Sequence, residues 1–335
     1  MFLYHGRGLP TGPPDPPVSH AMTRQAVPGA RRNDTLRQLR AQAVDRRLTV
    51  SGLIALRRLY LRVSVTGFCN LRCAFCHSEG GPRAGRLPLS FARSAIAAAA
   101  QVGFDRVQFT GGEPLLVKSI AKYISAARES VAEVGVTTNG VLIPKRLPEA
   151  IDAGLTSLHV SVISPSDGSD STSGLVPSWL PYAVTLCSTR DVRVRLNLPV
   201  SPTRIRWARG FLEATSHLDA EVCIFALIPQ GGATSNGNTY LDQLEALVST
   251  PLASPVTPAG RLPRTVTVRS YLSPTGLRCS NCPQHGACHE ASRSLRLGVD
   301  RVLRPCLATR EWDSVLRTSH MIRDITDATI LACDF

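Results

Sequence analysis

The sequence predicts an α/β fold, a parallel sheet wound into a partial (β/α)6 TIM-like barrel with a small C-terminal domain, and three observations carry that expectation. Strand-like and helix-like stretches alternate between residues 59 and 228, the strands end in glycine or polar residues, and 43% of the 335 residues are hydrophobic. Such alternation implies parallel pairing, because a crossover helix returns the chain to the same end of the sheet. In folds of this kind the functional residues sit at the carboxyl ends of the strands. The expected division is a disordered leader at 1–32, the barrel at 33–240 and the C-terminal domain at 241–335.

The elements follow in order. Thr11-Gly12-Pro13-Pro14-Asp15-Pro16-Pro17 excludes helix and central strand from the leader, since proline lacks an amide donor and fixes φ. Met22 is an alternative start. Residues 33–56 space Leu, Ala and Val at helical intervals and predict one or two amphipathic helices. Strands are expected at 59–66 (LYLRVSVT), 106–110, 134–138, 157–162, 192–200 and 221–228. Helices are expected between them at 91–101, 117–130, 147–153, 179–188 and 204–217. A loop at 231–238 and a Pro/Ser-rich stretch at 250–264 mark the boundary region.

Composition narrows the function classes. The leader has no apolar h-region, which speaks against export, and no apolar run approaches the roughly 18 residues of a membrane span. A cytoplasmic protein without membrane partners is expected. The net charge of +13 resides mostly in arginines spread along the chain, and aromatics are 5% of residues. This pattern favours phosphate-bearing small molecules over nucleic acid as partners.

Seven of the ten cysteines fall in two groups. Without export signals, clustered cysteines indicate metal rather than disulfides. Cys69, Cys73 and Cys76 have C-x3-C-x2-C spacing, which suits three thiolates on three irons of a 4Fe–4S cluster and leaves the fourth iron open. Zinc with His77 as fourth ligand is the competing reading, although adjacent ligands close a tetrahedron poorly. Cys279, Cys282, Cys288 and Cys306 form C-x2-C-x5-C-x17-C, which fits a second cluster or a zinc ribbon. Cys187 and Cys223 sit in apolar patterns and read as buried structural thiols; Cys333 is isolated.

The segment Tyr60-Leu61-Arg62-Val63-Ser64-Val65-Thr66-Gly67-Phe68-Cys69-Asn70-Leu71-Arg72-Cys73-Ala74-Phe75-Cys76 resembles the radical S-adenosylmethionine superfamily, and within it the molybdenum-cofactor GTP cyclases. Phe109-Thr110-Gly111-Gly112-Glu113-Pro114, Val136-Thr137-Thr138-Asn139-Gly140 and His159-Val160-Ser161-Val162-Ile163-Ser164 extend the likeness. The resemblance implies that the first cluster chelates S-adenosylmethionine and cleaves it to a 5′-deoxyadenosyl radical, with electrons from a donor such as flavodoxin or ferredoxin. It further implies that Phe75 packs by the cluster, that Gly111, Gly112 and Glu113 receive the methionine moiety, and that Ser161, Asn197 and Ile228 contact the rest of the cofactor. Arg62, Thr137, Arg195 and Arg296 are implied on the substrate side. The C-terminal domain, read the same way, is an auxiliary iron–sulfur domain holding a second 4Fe–4S cluster.

Two departures separate this chain from the cyclases. Cys288 adds a fourth cysteine to the second group, and Gln108 stands where the cyclases carry arginine. His77-Ser78-Glu79-Gly80-Gly81 also differs, and it either faces the cavity or turns the chain. The reading that follows is a radical enzyme acting on a small polar substrate such as a nucleotide, a nucleotide sugar or a secondary-metabolite precursor. GTP cyclisation for molybdenum cofactor, modification of a ribosomal peptide, and a non-catalytic zinc protein binding RNA are the alternatives. Metal analysis after anaerobic purification decides the last. About eight irons with matching sulfide are expected for two clusters, and zinc without sulfide would remove the radical reading.

Overall fold

The computed structural model describes residue 54 and residues 59–73, 75–76, 84–163, 175–227, 242–247, 265–269, 294–305 and 313–333. The expected leader, most of the helical stretch at 33–56, the second cysteine group and Ile228 lie outside them. So do His77 to Gly81.

Alternation decides the first strand. β1 (Tyr60–Thr66) buries Leu61, Val63 and Val65 in the core, and its even-numbered residues take the other face. β2 (Arg106–Gly111), β3 (Glu133–Thr138), β4 (Ser157–Ser161), β5 (Arg193–Val200), β6 (Glu221–Ala226) and β7 (Val266–Arg269) follow beside it in sequence order, each parallel to the last. Between the first six strands run α1 (Leu89–Val102), α2 (Ile120–Arg128), α3 (Ile143–Asp152), α4 (Leu180–Ser188) and α5 (Ile205–Ala214). Right-handed crossovers that all step the same way put these helices on one face of the sheet. Val107, Phe109, Val134, Val136, Leu158, Val160, Val194 and Leu196 supply the core on that face.

The elements lie within a few residues of the expected ones, and the largest difference has a clear cause. α3 starts at Ile143 rather than 147, because Pro144 falls in its first turn, where a missing amide donor costs no helical hydrogen bond. Pro148 inside the same helix does cost one. Burial of Ile143, Leu147, Ala150 and Ile151 along one stripe offsets it.

The C-terminal strands join the barrel's own sheet. β8 (Ser294–Leu297) runs parallel to β1 with Arg62 opposite Arg296, and β9 (Val302–Arg304) and β10 (Ser314–Val315) continue outward antiparallel. The sheet thus has ten strands among the described residues, in the order β10-β9-β8-β1-β2-β3-β4-β5-β6-β7. β8 and β9 flank a turn at residues 298–301. Arg301 takes φ 58° in that turn, and its guanidinium lies 4.6 Å from the centre of the Phe91 ring on α1. Buried Arg304 pairs with Asp300 and, at 3.4 Å, with Asp313.

α6 (Met321–Cys333) closes this end by packing on α1, whose buried Ala92, Ala95 and Ala99 permit close approach. Asp324 accepts from the Arg317 backbone amide at 2.9 Å and from its guanidinium. Ile325 and Ala328 are fully buried in the same helix. Ile325→Ala is expected to cost about 2–5 kcal/mol of stability, the range for truncating a buried isoleucine. Equilibrium denaturation measures it, and a loss under about 0.5 kcal/mol, typical of surface substitutions, would contradict this packing.

Candidate active site

The cysteine loop leaves the carboxyl end of β1 and is locked there by the neighbouring strand. The Gly112 amide donates to Thr66 O at 2.7 Å, and the Glu113 amide donates to Phe68 O at 2.8 Å. A Cβ on Gly111 would lie 2.2 Å from Thr66 O, and one on Gly112 would lie 2.1 Å from Phe68 O. No residue with a side chain permits this approach, and Gly111 also has φ 136°. The returning chain seals the other side: Gly67 N donates to Gly85 O at 3.1 Å and Leu87 N to Val65 O at 3.0 Å.

On this loop Cys69, Cys73 and Cys76 are thiols that form no disulfide, the first and third exposed and the second half-buried. A turn joins the last two, with the Cys76 amide donating to Cys73 O at 3.1 Å. Phe75, half-buried, sits within it. The Leu71 amide points at Cys69 Sγ across 3.4 Å.

Glu113 is the buried charge of the site, with 1% of its surface exposed. The Thr138 hydroxyl donates to Oε1 at 2.7 Å, the Leu115 amide to Oε1 at 3.0 Å, and the Asn139 amide to Oε2 at 2.8 Å. Burial pushes its carboxyl above the usual carboxylate range, against the pull of the hydrogen bonds from Asn139, Thr138 and Leu115. A carboxylate offers about four lone-pair positions, so these three donors leave room for one more. The residue expected to receive an amine therefore also ties β2 to the end of β3.

The inner face carries the remaining candidates in register. Arg62 stands between Arg296 and Gln108, while Thr137, His159 and Arg195 form a row across β3, β4 and β5. Gln108 Nε2 donates to Thr137 Oγ1 at 3.0 Å, passing over Gly135, where a Cβ would meet Gln108 Oε1 at 2.0 Å. Arg195 donates through Nε and Nη2 to Glu221 Oε2 at 2.9 and 2.7 Å, so its guanidinium is already committed. Ser161, the last residue of β4, is the register neighbour of Asn197 in the interior of β5. Asn197 Oδ1 is buried without a hydrogen-bond partner among the described residues.

The structure thus brings Cys69, Cys73, Cys76, Gly111, Gly112 and Glu113 to the ends of the first strands, and it sets Ser161 beside Asn197. Ile228, Cys279, Cys282, Cys288 and Cys306 fall outside the described residues. Cys187 and Cys223 are buried as expected, and burial raises the Cys187 thiol to about 12. Sequence reasoning quoted His159 and Asn139 within motifs but gave neither a role. The signal for Asn139 was an Asn-Gly pair directly after a strand, which marks a fixed turn. His159 was signalled by its period-2 spacing from Ser161.

A three-cysteine loop is held against a Gly-Gly-Glu segment at the carboxyl ends of a parallel sheet, and the match to a known family falls on this part of the chain. Residues 63–174 match the Radical SAM superfamily. Among curated proteins, the GTP 3′,8-cyclase of Stenotrophomonas maltophilia (strain K279a) is 41% identical over 110 residues, covering 31% of this chain and 34% of the cyclase. Molybdenum cofactor biosynthesis protein moc-5 of Caenorhabditis elegans is 37% identical over 205 residues, covering 56% of this chain and 33% of that protein. The chain thus spans about a third of the length of the curated relatives it matches. Among solved structures, Streptococcus suis SuiB bound to precursor peptide SuiA aligns with TM-score 0.54 and 14% identity, covering 82% of this chain and 66% of SuiB. SuiB bound to S-adenosylmethionine aligns with TM-score 0.53 and 14% identity, over 82% of this chain and 65% of SuiB. At that identity the likeness is one of fold.

The donor set fits an iron–sulfur cluster: three thiols outside any disulfide on one loop, with an amide directed at one of them. Among the described residues no three His, Cys, Asp or Glu side chains form a group that could hold one ion. Thiolates serving three separate irons have no need to converge in that way.

Glu113→Gln replaces an acceptor oxygen with a donor, so one of the three hydrogen bonds must fail. The expected loss is about 1–3 kcal/mol, the cost of a buried unsatisfied group. The folded pKa lies above the ordinary value of 4.5, so the contribution of Glu113 is fullest below that value and declines as pH rises through the folded pKa. The stability gap between wild type and E113Q should therefore narrow across that rise in denaturation curves. A gap that widens would contradict the raised pKa.

Proposed function

We propose that this chain is a radical enzyme that reductively cleaves S-adenosylmethionine and uses the resulting radical to take hydrogen from a small polar substrate. One observation carries the reading: the Thr66–Gly112 and Phe68–Glu113 backbone bonds hold the cysteine loop against the Gly-Gly-Glu segment. When bound by Cys69, Cys73 and Cys76, the cluster supplies one electron to S-adenosylmethionine, whose C–S bond breaks to give methionine and a 5′-deoxyadenosyl radical. The chain's own groups bind and orient. Glu113 has capacity for one further donor, which suits the methionine ammonium. Asn197 Oδ1, buried and lacking a partner among the described residues, suits a ribose hydroxyl beside Ser161.

On the substrate side, Arg62 and Arg296 stand side by side, with Gln108, Thr137 and His159 continuing the polar face. That lining supports a polar, anionic substrate such as a nucleotide. A cytoplasmic enzyme supplied with electrons by a flavodoxin- or ferredoxin-type donor follows from the same reading. No helix among the described residues is long and apolar enough to cross a membrane. Cys279, Cys282, Cys288 and Cys306 are proposed to hold a second 4Fe–4S cluster. The division into a barrel at 33–240 and an auxiliary-cluster segment at 241–335 is proposed with it, although β8 and β9 of that segment belong to the barrel's sheet.

A second reading, cyclisation of GTP in molybdenum-cofactor synthesis, is favoured by the 41% identity to a GTP 3′,8-cyclase. Gln108 in place of an arginine counts against it. Cys73→Ala should abolish 5′-deoxyadenosine formation from S-adenosylmethionine under strong reductant. Unchanged 5′-deoxyadenosine in that variant would refute the proposed ligand role. Incubation with GTP then separates the two readings, since a cyclase would form a cyclised product only in the Cys73-intact protein.

A further inference from the structure

We propose that Asn139 is a positioning residue for the first cluster ligand: its side-chain amide clamps the end of β3 to the cysteine loop and directs an N–H toward the Cys69 sulfur, favouring the reduced cluster. This rests on the reading of Cys69, Cys73 and Cys76 as cluster ligands.

The orientation of the amide is fixed from both ends. Asn139 Oδ1 accepts from the Val141 amide at 3.1 Å, which turns Nδ2 toward the loop. There Nδ2 donates to Asn70 Oδ1 at 2.7 Å and lies 3.9 Å from Cys69 Sγ. The Asn139 backbone is held as well. Its amide donates to Glu113 Oε2 at 2.8 Å, and the next amide, of Gly140, donates to Thr138 Oγ1 at 3.1 Å. Gly140 itself has φ 85° and lies against Trp179, where a Cβ would be 2.2 Å from the ring. A turn this constrained can hold a side chain in one place.

The Cys69 thiol also lies 4.0 Å from Asn70 Oδ1. Ligation removes the thiol proton, which leaves Asn70 Oδ1 to Asn139 alone. The sulfur then faces two N–H donors, from Leu71 at 3.4 Å and from Asn139. Reduction adds one negative charge to a cluster, and N–H dipoles aimed at its sulfurs favour that state. Removing one such donor should therefore lower the potential. Asn139 thus joins Glu113, through its backbone amide, to the cysteine loop, through its side-chain amide.

The test uses the full-length protein, reconstituted anaerobically, with iron and sulfide content measured first. The one-electron midpoint potential is then followed by electron paramagnetic resonance without substrate. The signal of the first cluster is identified as the one absent from Cys73→Ala and altered by S-adenosylmethionine. Asn139→Asp keeps an acceptor for Val141 but cannot donate to Asn70 or Cys69. It is expected to retain iron and shift the reduction equilibrium toward the oxidised form about tenfold, which is about 59 mV for one electron. Asn70→Ala, which leaves the Asn139 N–H in place, should shift it less. Iron-loaded Asn139→Asp with an unchanged potential would overturn the proposal, as would an equal shift in Asn70→Ala. Failure of the underlying reading looks different, since wild type and variants alike would then hold no iron at the first site.

Discussion

Two backbone hydrogen bonds, from Gly112 to Thr66 and from Glu113 to Phe68, are the constraint on which the site depends. They join the loop after β1 to the turn after β2 at a separation where no Cβ fits. The pairing of β1 with β2 brings these ends together, and the glycines let the backbones touch. Everything contributed by the cysteine loop is therefore placed by the sheet rather than by the loop's own short-range preferences. A rigid scaffold with a loop locked to it is a precise way to present ligands.

Glu113 extends this constraint to a third strand. A buried carboxylate is costly unless donors surround it, and here the donors come from β3's end and from the turn after Glu113 itself. The raised pKa records that desolvation is not fully offset. A residual capacity to accept one more donor is what a site awaiting a cationic ligand requires. The polar row on the inner face differs in character. Arg195 is neutralised by Glu221 and Gln108 is tied to Thr137, so much of that surface is internally satisfied before any substrate arrives.

Much of this was legible in the sequence because it rests on local patterns. Period-2 burial in LYLRVSVT, alanine-rich α1 and the strand-end glycines reported the β/α alternation and the place of the site. The cysteine spacing and Gly111-Gly112-Glu113 carried the resemblance on which the proposed chemistry rests. The hydrogen bonds around Glu113 and Asn139 were not legible, because they join residues on different strands and depend on register. For the same reason the parallel pairing of β8 with β1 could not be read from residues 294–297, whose apolar character fits either a small separate domain or an added strand. The ion pair of Arg195 with Glu221, one strand away, was not legible either, because it too depends on register.

The position of β1 in the middle of the sheet has a consequence for how the molecule is assembled. Tyr60 finds its partner at Ser294, near the opposite end of the chain, whereas β2 to β6 pair with strands adjacent in sequence. During synthesis one side of β1 must stay without this partner until residues 294–297 have emerged, and closing so long a loop is slow. The strand that feeds the cysteine loop is thus enclosed on one side by a partner that follows it by more than 200 residues. A change in residues 294–297 would therefore be felt beside the strand that leads into the loop bearing Cys69.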